Sequence, residues 1–345
     1  MTTKASGQKL YVGLDLHSSN VYCGIINTEG ERVYKKRFPN ELDEIARVLK
    51  PYRRRIEGMA VESTYNWYWL VDGLAGLGYP MRLANPAKMG AYNGLKRTDD
   101  QSDAFWIAEL MRLNILPTAY IYPKEIRPLR DLLRRRAMLV AQRTQLLLSL
   151  QSMIARQTGK TVSGASLKTW TEAELNEALK DPHLLLAAKS QLNVIDSQSG
   201  QIALIEKTIR KEVKLEGRYM RLLTLPGVAF VLGATIMLES GPMERFPSAG
   251  DYASYARTVD SRRESNGKKK GENNRKNGNR YLAWAFVEAA QMAQRYYPEI
   301  QSWFDHKKAK TNRAVATKAL ACKLAKATYF VLKNEEDFDM KKMFG

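Results

Sequence analysis

Four acidic residues stand where an acidic side chain needs an explanation. Asp15 interrupts the apolar segment LYVGLDL, and Glu62 ends the apolar segment GMAVE. Asp100 and Asp103 lie three residues apart at the start of an apolar helical pattern. A carboxylate in an apolar strand is costly to bury without a compensating cation. Converging carboxylates bind magnesium or manganese, and two such ions about 4 Å apart activate a phosphodiester for strand cleavage.

The two aspartates of the helix also have a simpler explanation. A helix capped by Thr98 would carry Asp100 and Asp103 in its first two turns, where the helix dipole favours acidic side chains. That explanation does not extend to Asp15 or Glu62, which lie in predicted strands. The fold must therefore decide whether the four carboxylates meet.

The surrounding elements predict such a meeting. Alternating and helical patterns predict, in order, three strands within 9–38, a helix over 41–49, a strand over 56–62, a helix over 68–77, a strand near 80–85 and a helix opening near 98. This order, β-β-β-α-β-α-β-α, is that of the α/β ribonuclease H-like fold, a mixed sheet with helices on both faces. There the first and fourth strands are neighbours and the last helix passes beside their ends. We therefore expect the four carboxylates to converge.

The charge of the chain indicates a polyanionic partner. Its 345 residues carry a formal net charge of +19, which favours nucleic acid. The sequence shows no apolar stretch long enough to span a bilayer and no apolar N-terminal signal segment, so we expect no membrane partner. Cys23 and Cys322 lie in apolar patterns and predict buried free thiols in a reducing compartment. We expect a cytoplasmic protein, associated with the nucleoid of a prokaryote.

The rest of the chain is predicted to be mainly helical. Two long helices over 125–157 and 184–215 predict a coiled coil, antiparallel or intermolecular, or an ordinary helical bundle. Residues 222–239 have the layout of a helical hairpin, in which a Pro-Gly turn either offers amides to a phosphate or joins two core helices. A helix over 281–297 and a single basic helix over 308–332 follow.

These patterns divide the chain into four parts. They are a polar tail (1–8), the α/β domain (9–124), a helical coiled-coil or dimerisation region (125–217) and a mainly α C-terminal domain (218–345). Within the last part, residues 257–280 form a basic loop with almost no large apolar groups, which a polyanion could order. The side chains expected to contact nucleic acid are Arg97, Arg262, Arg263, Lys268, Lys269, Lys270, Arg275, Lys276 and Arg280.

The sequence resembles the DEDD-type insertion-sequence transposases, which are related to the Piv invertases and have an N-terminal domain similar to the RuvC Holliday-junction resolvase. In the N-terminal half, the resemblance rests on YVGLDLHSSNVYCGI, AVESTYNWYW and NPAKMGAYNGLKRTDDQSDAFWIA. In the C-terminal half it rests on LLTLPGVAF, FPSAGDYASYA, SNGKKKG and KNGNRYLAWAFVEAA. It covers nearly the whole chain. It implies that Asp15, Glu62, Asp100 and Asp103 are the catalytic, metal-binding carboxylates.

The resemblance also implies an activity and partners. It implies a RuvC-like domain, a coiled coil used in dimer contacts, and a transposase domain with a serine that joins covalently to DNA. The expected enzyme is a site-specific DNA recombinase that uses Mg²⁺ or Mn²⁺, most simply two ions. Its expected partners are the ends of the element, target DNA and a structured noncoding bridge RNA that pairs with both. A homodimer or homotetramer is expected.

The matching serine is Ser265, although the surrounding motif departs from the family. Family members have a Ser-Gly pair after Gly-Leu-x-Pro, whereas here Arg-Thr-Val-Asp occupies 257–260 and Asn266 separates Ser265 from Gly267. Ser261 is thus an alternative nucleophile, but Ser265 lies nearer the glycine and the lysine run. Because the serine and the carboxylates belong to different domains, we expect a composite active site.

Three other functions compete with this one. A stand-alone RuvC-like endonuclease would use the same carboxylates with water as the nucleophile, and Ser265 would be dispensable. A phosphotransferase of the actin-like ATPase fold would need a glycine-rich phosphate loop after Asp15, and HSSNVYCG is a poor one. A catalytically inert nucleic-acid-binding module would not need the carboxylates.

Overall fold

The computed structural model describes residues 7–90, 92, 102–213, 216–259, 262–272 and 277–344, with the backbone alone at Ser102, 262–265, Lys269 and Glu272. The chain forms two compact units, Met1–Lys124 and Glu125–Gly345. The further boundary near residue 217 stays a prediction.

The first unit is built on a mixed sheet. Its strands are β1 (Leu10–Leu16), β2 (Asn20–Asn27), β3 (Arg32–Pro39), β4 (Ile56–Glu62), β5 (Met81–Ala84) and β6 (Thr118–Ala119), in the spatial order β3-β2-β1-β4-β5-β6. Its helices are α1 (Leu42–Leu49), α2 (Tyr68–Gly76), α3 (Pro86–Met89) and α4 (Ser102–Arg112), with a 3-10 turn at Lys50–Arg55. Strand β1 pairs antiparallel with β2 and parallel with β4. The predicted meander and the neighbouring first and fourth strands are confirmed.

The two faces of the sheet bury different residues. Leu10, Val12 and Leu14 of β1 lie in a core with α1 and α2, whereas Tyr11 packs against α4 on the opposite face. This separation follows from the alternation of side chains along a strand. Cys23 is fully buried in the first core, and burial raises the pKa of its thiol to about 12. It is therefore an unreactive core residue.

Glycines on the other face let α4 lie directly on the strands. A Cβ built on Gly13 would lie 1.8 Å from the carbonyl oxygen of Ala104, and one built on Gly24 would lie 2.9 Å from the ring of Phe105. Gly58 of β4 is similarly close, because its Cβ would lie 2.7 Å from the sulfur of Met111. At Gly13 any larger side chain would push the helix off the sheet, because the opposing atom belongs to the helix backbone, whereas at Gly24 and Gly58 the opposing atoms belong to side chains.

The second unit is mainly helical. Its helices are α5 (Arg127–Thr158), α6 (Gly164–Leu167), α7 (Glu172–Ala178), α8 (Pro182–Val213), α9 (Gly217–Leu222), α10 (Phe230–Ser240), α11 (Ala249–Tyr255), α12 (Arg280–Tyr296), α13 (Pro298–Lys310), α14 (Arg313–Asn334) and α15 (Met340–Phe344), with a 3-10 turn at Met243–Arg245. A two-stranded hairpin, β7 (Arg262–Ser265) and β8 (Lys268–Glu272), lies between α11 and α12.

Helices α5 and α8 form a long antiparallel pair. Arg136 of α5 contacts Glu206 of α8 at 2.6 Å, and further along α5 Arg143 donates to the hydroxyl of Ser199 at 3.0 Å. Residue numbers therefore rise along one helix as they fall along the other. At the far end, α6 and α7 close the pair with a separate apolar cluster. The pairing lies within one chain, and an intermolecular coiled coil stays a prediction.

Helices α12 and α14 form the centre of the C-terminal core. The Pro-Gly turn between α9 and α10 packs on α12, because a Cβ on Gly227, at φ 77°, would lie 2.2 Å from the carbonyl oxygen of Ala289. This close approach supports a core helix pair as the role of residues 222–239.

Two sequence expectations for this unit need correction. The predicted single basic helix over 308–332 is two helices, since α13 ends at Lys310 and the side chain of Asn312 caps α14 by accepting from the Val315 amide. The predicted basic loop contains a hairpin, because Asn266 and Gly267 both take positive φ, 54° and 68°. A two-residue turn of this kind is favoured by Asn-Gly.

Candidate active site

Asp15 and Glu62 lie side by side at the carboxyl ends of two parallel strands. In the register of β1 with β4, Leu14 is the partner of Val61, so Asp15 and Glu62 come next along their strands. Both belong to the face that α4 covers. Tyr22, which pairs with Asp15 across β2, packs against the cluster of Phe105 on that face.

The direction of α4 brings Asp103 to the same edge. The start of the helix touches β1 at Gly13, the middle residue of the strand, whereas Met111 touches β4 at Gly58, which is level with Tyr11 and so lies two residues nearer the amino ends of the strands. Helix α4 is therefore antiparallel to β1 and β4, and its N-terminus lies toward their carboxyl ends. Asp103 precedes the buried Ile107 by one helical turn, so it lies on the side of α4 that faces the sheet.

Asp15 has the most enclosed position of the three carboxylates. It is 7% exposed, and its Oδ2 lies 3.0 Å from Nε2 of His17. An imidazole that donates a hydrogen bond to this carboxylate offsets part of the cost of burying it. Sequence reasoning did not assign His17 to the site. The available signal was its position two residues after Asp15 at the end of a strand.

Amide side chains hold the loops of this edge. The side chain of Asn66, in the loop after β4, donates to the backbone carbonyl of His17 at 3.0 Å, and that of Asn40 donates to the carbonyl of Ser18 at 3.0 Å. The backbone amide of Ser63 donates to the carbonyl of Ala84. These hydrogen bonds join the carboxyl ends of β1, β4 and β5, and so hold the strand ends that carry Asp15 and Glu62 in fixed relative positions.

One of the four carboxylates predicted to bind metal lies outside the residues that the structure describes. Asp100 and Arg97 lie outside the described residues, as does the proposed cap Thr98. Among the described residues, no group of three or more His, Cys, Asp or Glu side chains is arranged to hold a metal ion. Asp15, Glu62 and Asp103 lie at one edge of the sheet, and their carboxylate oxygens are the donor type that magnesium and manganese prefer.

Ser265 occupies the last position of β7, directly before the hairpin turn. Its Cα partner across the hairpin is Lys268. Lys268 and Lys270 are exposed on β8. The other basic residues assigned to this segment are known by their backbone at Arg262, Arg263 and Lys269, while Arg275, Lys276 and the alternative serine Ser261 lie outside the described residues. The hairpin thus presents the serine at its tip, next to exposed lysines.

Arginines also lie where the segment that contains the hairpin leaves α11 and enters α12. Arg280, the first residue of α12, is exposed and donates to the hydroxyl of Tyr281 at 3.1 Å. Burial and, secondarily, the charge of Arg280 lower the pKa of Arg257. Nearby cations that raise one another's energy in this way are stabilised by a bound anion.

Two family models match the chain. Residues 12–159, which include the carboxylate edge, match a transposase family described as DEDD transposase of the IS110 type. Residues 219–305, which include the serine hairpin, match the transposase family IS116/IS110/IS902. A protein of Pseudomonas aeruginosa with the name "Probable family 20 transposase" is 25% identical over 241 residues, which cover 67% of this chain and 70% of that protein.

The matches to transposase families over both the mixed-sheet unit and the helical unit identify the chain as a transposase, an enzyme that cuts and rejoins DNA. The chain belongs to the IS110 family of DEDD transposases. DNA is therefore its substrate. None of the helices described is both long enough and apolar enough to cross a bilayer.

Proposed function

We propose that this transposase moves an insertion sequence by site-specific recombination through a covalent serine-DNA intermediate, with its DNA sites selected by a bridge RNA. The observation that carries the catalytic part is the placement of Asp15, Glu62 and Asp103 at one edge of the sheet, on the face that α4 covers. Asp100 is proposed as the fourth carboxylate.

The four carboxylates are proposed to hold two divalent cations, magnesium or manganese. When bound, these ions polarise the scissile phosphate and stabilise the oxygens that attack it and leave it. The protein contributes the alignment of the ligands, because α4 and the two strands are packed too closely to shift independently. His17 orients Asp15 through the contact at 3.0 Å.

The proposed nucleophile is the hydroxyl of Ser265. Its oxygen forms a bond to the scissile phosphorus as the bond from phosphorus to one deoxyribose oxygen breaks. The serine gives up its proton, and the departing oxygen takes one. A deoxyribose hydroxyl of a second strand then attacks the same phosphorus and releases the serine, so the number of phosphodiester bonds is conserved. Lysines next to the serine stabilise the charge that develops on the phosphate.

The basic residues of the hairpin segment are proposed to bind phosphates of DNA or RNA. Such contacts position a nucleic acid without reading its bases. Sequence choice by base pairing with a guide RNA is consistent with a protein whose basic side chains recognise backbones. Assembly as a dimer or tetramer is proposed with it, the helical region 125–217 supplying the contacts.

The test is a search for the covalent intermediate. The full-length protein, purified with co-expressed nucleic acid, is mixed with DNA carrying the ends of its element and with Mg²⁺, and the products are separated on a denaturing gel. We expect a protein-DNA adduct with the wild type and with Ser261→Ala, and none with Ser265→Ala or Asp15→Asn. Digestion of the RNA with ribonuclease before DNA is added should also abolish the adduct.

Each arm of this experiment can contradict one part of the proposal. DNA cleavage without an adduct, unchanged by Ser265→Ala, would identify an endonuclease that uses water. An adduct that survives Ser265→Ala and disappears with Ser261→Ala would move the nucleophile to the alternative serine. An adduct that forms normally after ribonuclease treatment would refute RNA guidance and leave the chemistry intact.

A further inference from the structure

A buried carboxylate lies at the base of the hairpin segment. Glu239, on α10, is 1% exposed. Arg130 of α5 donates to its Oε2 at 3.0 Å, and Arg134 of α5 donates to its Oε1 at 2.5 Å and to its Oε2 at 2.9 Å. The side chain of Asn279 donates to the same Oε2 at 2.6 Å. Glu239 therefore joins α5, α10 and the residue that precedes α12.

The surroundings of Glu239 favour its ionised form. Burial is the largest single influence and by itself would raise the pKa of Glu239. The hydrogen bond from Arg134, the charges of Arg130 and Arg134, and the hydrogen bond from Asn279 together outweigh burial and lower that pKa. A buried carboxylate with two cations and an amide donor keeps one geometry, because each lost partner leaves a buried charge unpaired.

Asn279 is the point at which this network reaches the hairpin segment. Its Oδ1 accepts from the backbone amides of Tyr281 and Leu282 and so caps α12. Its own backbone amide donates to the carbonyl of Tyr255, at the end of α11, at 2.6 Å. The side chain of Asn279 therefore fixes the start of α12. Its backbone amide joins the two ends of the segment between α11 and α12.

The chain on either side of this hydrogen bond between Asn279 and Tyr255 is also closely packed. Gly278 has φ 85°, and a Cβ there would lie 2.4 Å from the carbonyl oxygen of Tyr255. On the other end, Arg257 takes φ 56° and donates from Nη2 to the carbonyl of Gly278 at 3.0 Å. The segment that carries Ser265 thus leaves α11 and returns to α12 at a closed base.

We infer that Glu239 and Asn279 are positioning residues for Ser265, because they tie the closed base of its segment to the arginines of α5. This inference rests on the proposed role of Ser265 as the nucleophile. Neither residue is proposed to touch the DNA. Buried ion pairs are often replaceable by apolar residues without loss of the fold. The contribution inferred for this junction is therefore the fixed closure at Tyr255, Arg257, Gly278 and Asn279, where the segment that carries Ser265 begins and ends.

The variant that tests the inference is Asn279→Ser. Serine is as good a helix cap as asparagine, but its short side chain has no amide to donate to Glu239. The matched control is Asn312→Ser, because Asn312 caps α14 in the same manner, through the Val315 amide, and is exposed. The pair separates the loss of the Glu239 contact from the general effect of exchanging a cap.

The measurement compares two products at saturating DNA under single-turnover conditions, namely the serine-DNA adduct and the strand nicked by water. We expect Asn279→Ser to form the adduct at least about tenfold more slowly, with the ratio of nicked strand to adduct increased and DNA affinity changed less than about twofold, consistent with misplacement of a reacting group. Asn312→Ser should have the wild-type rate and ratio.

A purely structural role gives a different pattern. If Asn279→Ser loses adduct and nicked product in the same proportion, or has the wild-type rate and ratio, the inference is wrong. If the serine variant does not fold by circular dichroism, Asn279→Thr takes its place, since threonine also caps a helix, lacks the amide donor and adds no charge beside Glu239. Failure of the proposed function is distinguishable, because the wild type itself would then form no adduct.

Discussion

Replacement of Gly13 by alanine is the sharpest test of how the carboxylates are positioned. The new Cβ would lie 1.8 Å from the carbonyl oxygen of Ala104, and real Cβ atoms essentially never approach another atom closer than 3.0 Å. Because the opposing atom belongs to the backbone of α4, a side-chain rotation cannot relieve the clash. The start of the helix must move by about 1 Å or more, and Asp103 must move with it.

Two effects of different size should follow from Gly13→Ala. Overpacking of this kind costs about 1–3 kcal/mol of the free energy of unfolding. A displacement of about 1 Å at a catalytic group can lower the reaction rate roughly a hundredfold. Urea unfolding monitored by circular dichroism measures the first effect, and the single-turnover rate of DNA cleavage at saturating DNA and Mg²⁺ measures the second.

Gly58→Ala is the matched control for this experiment. It introduces a clash under the same helix, at 2.7 Å from the sulfur of Met111, but the opposing atom lies in a flexible side chain at the end of α4 remote from the carboxylates. We expect a similar or smaller loss of stability and less than about a fivefold loss of cleavage rate. Equal cleavage rates for folded Gly13→Ala and the wild type would refute the view that α4 positions Asp103 for catalysis.

Two further predictions concern Glu239 and Lys268. Glu239→Gln should remove part of the acid sensitivity of the fold, because a carboxyl whose pKa is lowered by folding adds stability above its unfolded value, near 4.5, and loses that contribution as the pH falls through its folded value. Urea unfolding at pH 7 and pH 4 tests this, and equal pH dependence in both proteins would contradict it. Lys268→Ala, at an exposed position beside Ser265, should reduce by about one the slope of log affinity for DNA against log salt concentration. An unchanged slope would show that Lys268 makes no phosphate contact.

The part of the site that the sequence predicts best is the part in which local pattern and fold topology agree. Asp15 and Glu62 each interrupt an apolar strand, and the order of elements makes those strands neighbours. The close packing of α4 was not predictable from the strand pattern, because the meaning of Gly13 and Gly58 depends on a helix that arrives later in the chain. His17 was missed for a similar reason, since its value lies in a contact with Asp15.

In the C-terminal unit, one local signal points to the observed hairpin. Asn266 separates Ser265 from Gly267 and so departs from the family's Ser-Gly pair, but Asn-Gly is also a strong signal for a two-residue hairpin turn. Within a continuous basic pattern, one helix ends at Lys310 and Asn312 caps the next. The junction at Glu239 could not be predicted, because its members, Glu239 included, come from three separate parts of the chain and no local periodicity relates them.

The antiparallel pair of α5 and α8 has a mechanical consequence. Each helix has 32 residues, so the pair is about 48 Å long, which equals the rise of about 14 base pairs of duplex DNA. Arg130 and Arg134 lie in the first turns of α5, at the end of the pair that contacts Glu239. A tilt of about 5° at that end would move the opposite end by about 4 Å. A force applied at the opposite end, more than one turn of duplex away, would therefore act as a torque on the arginines that bind Glu239.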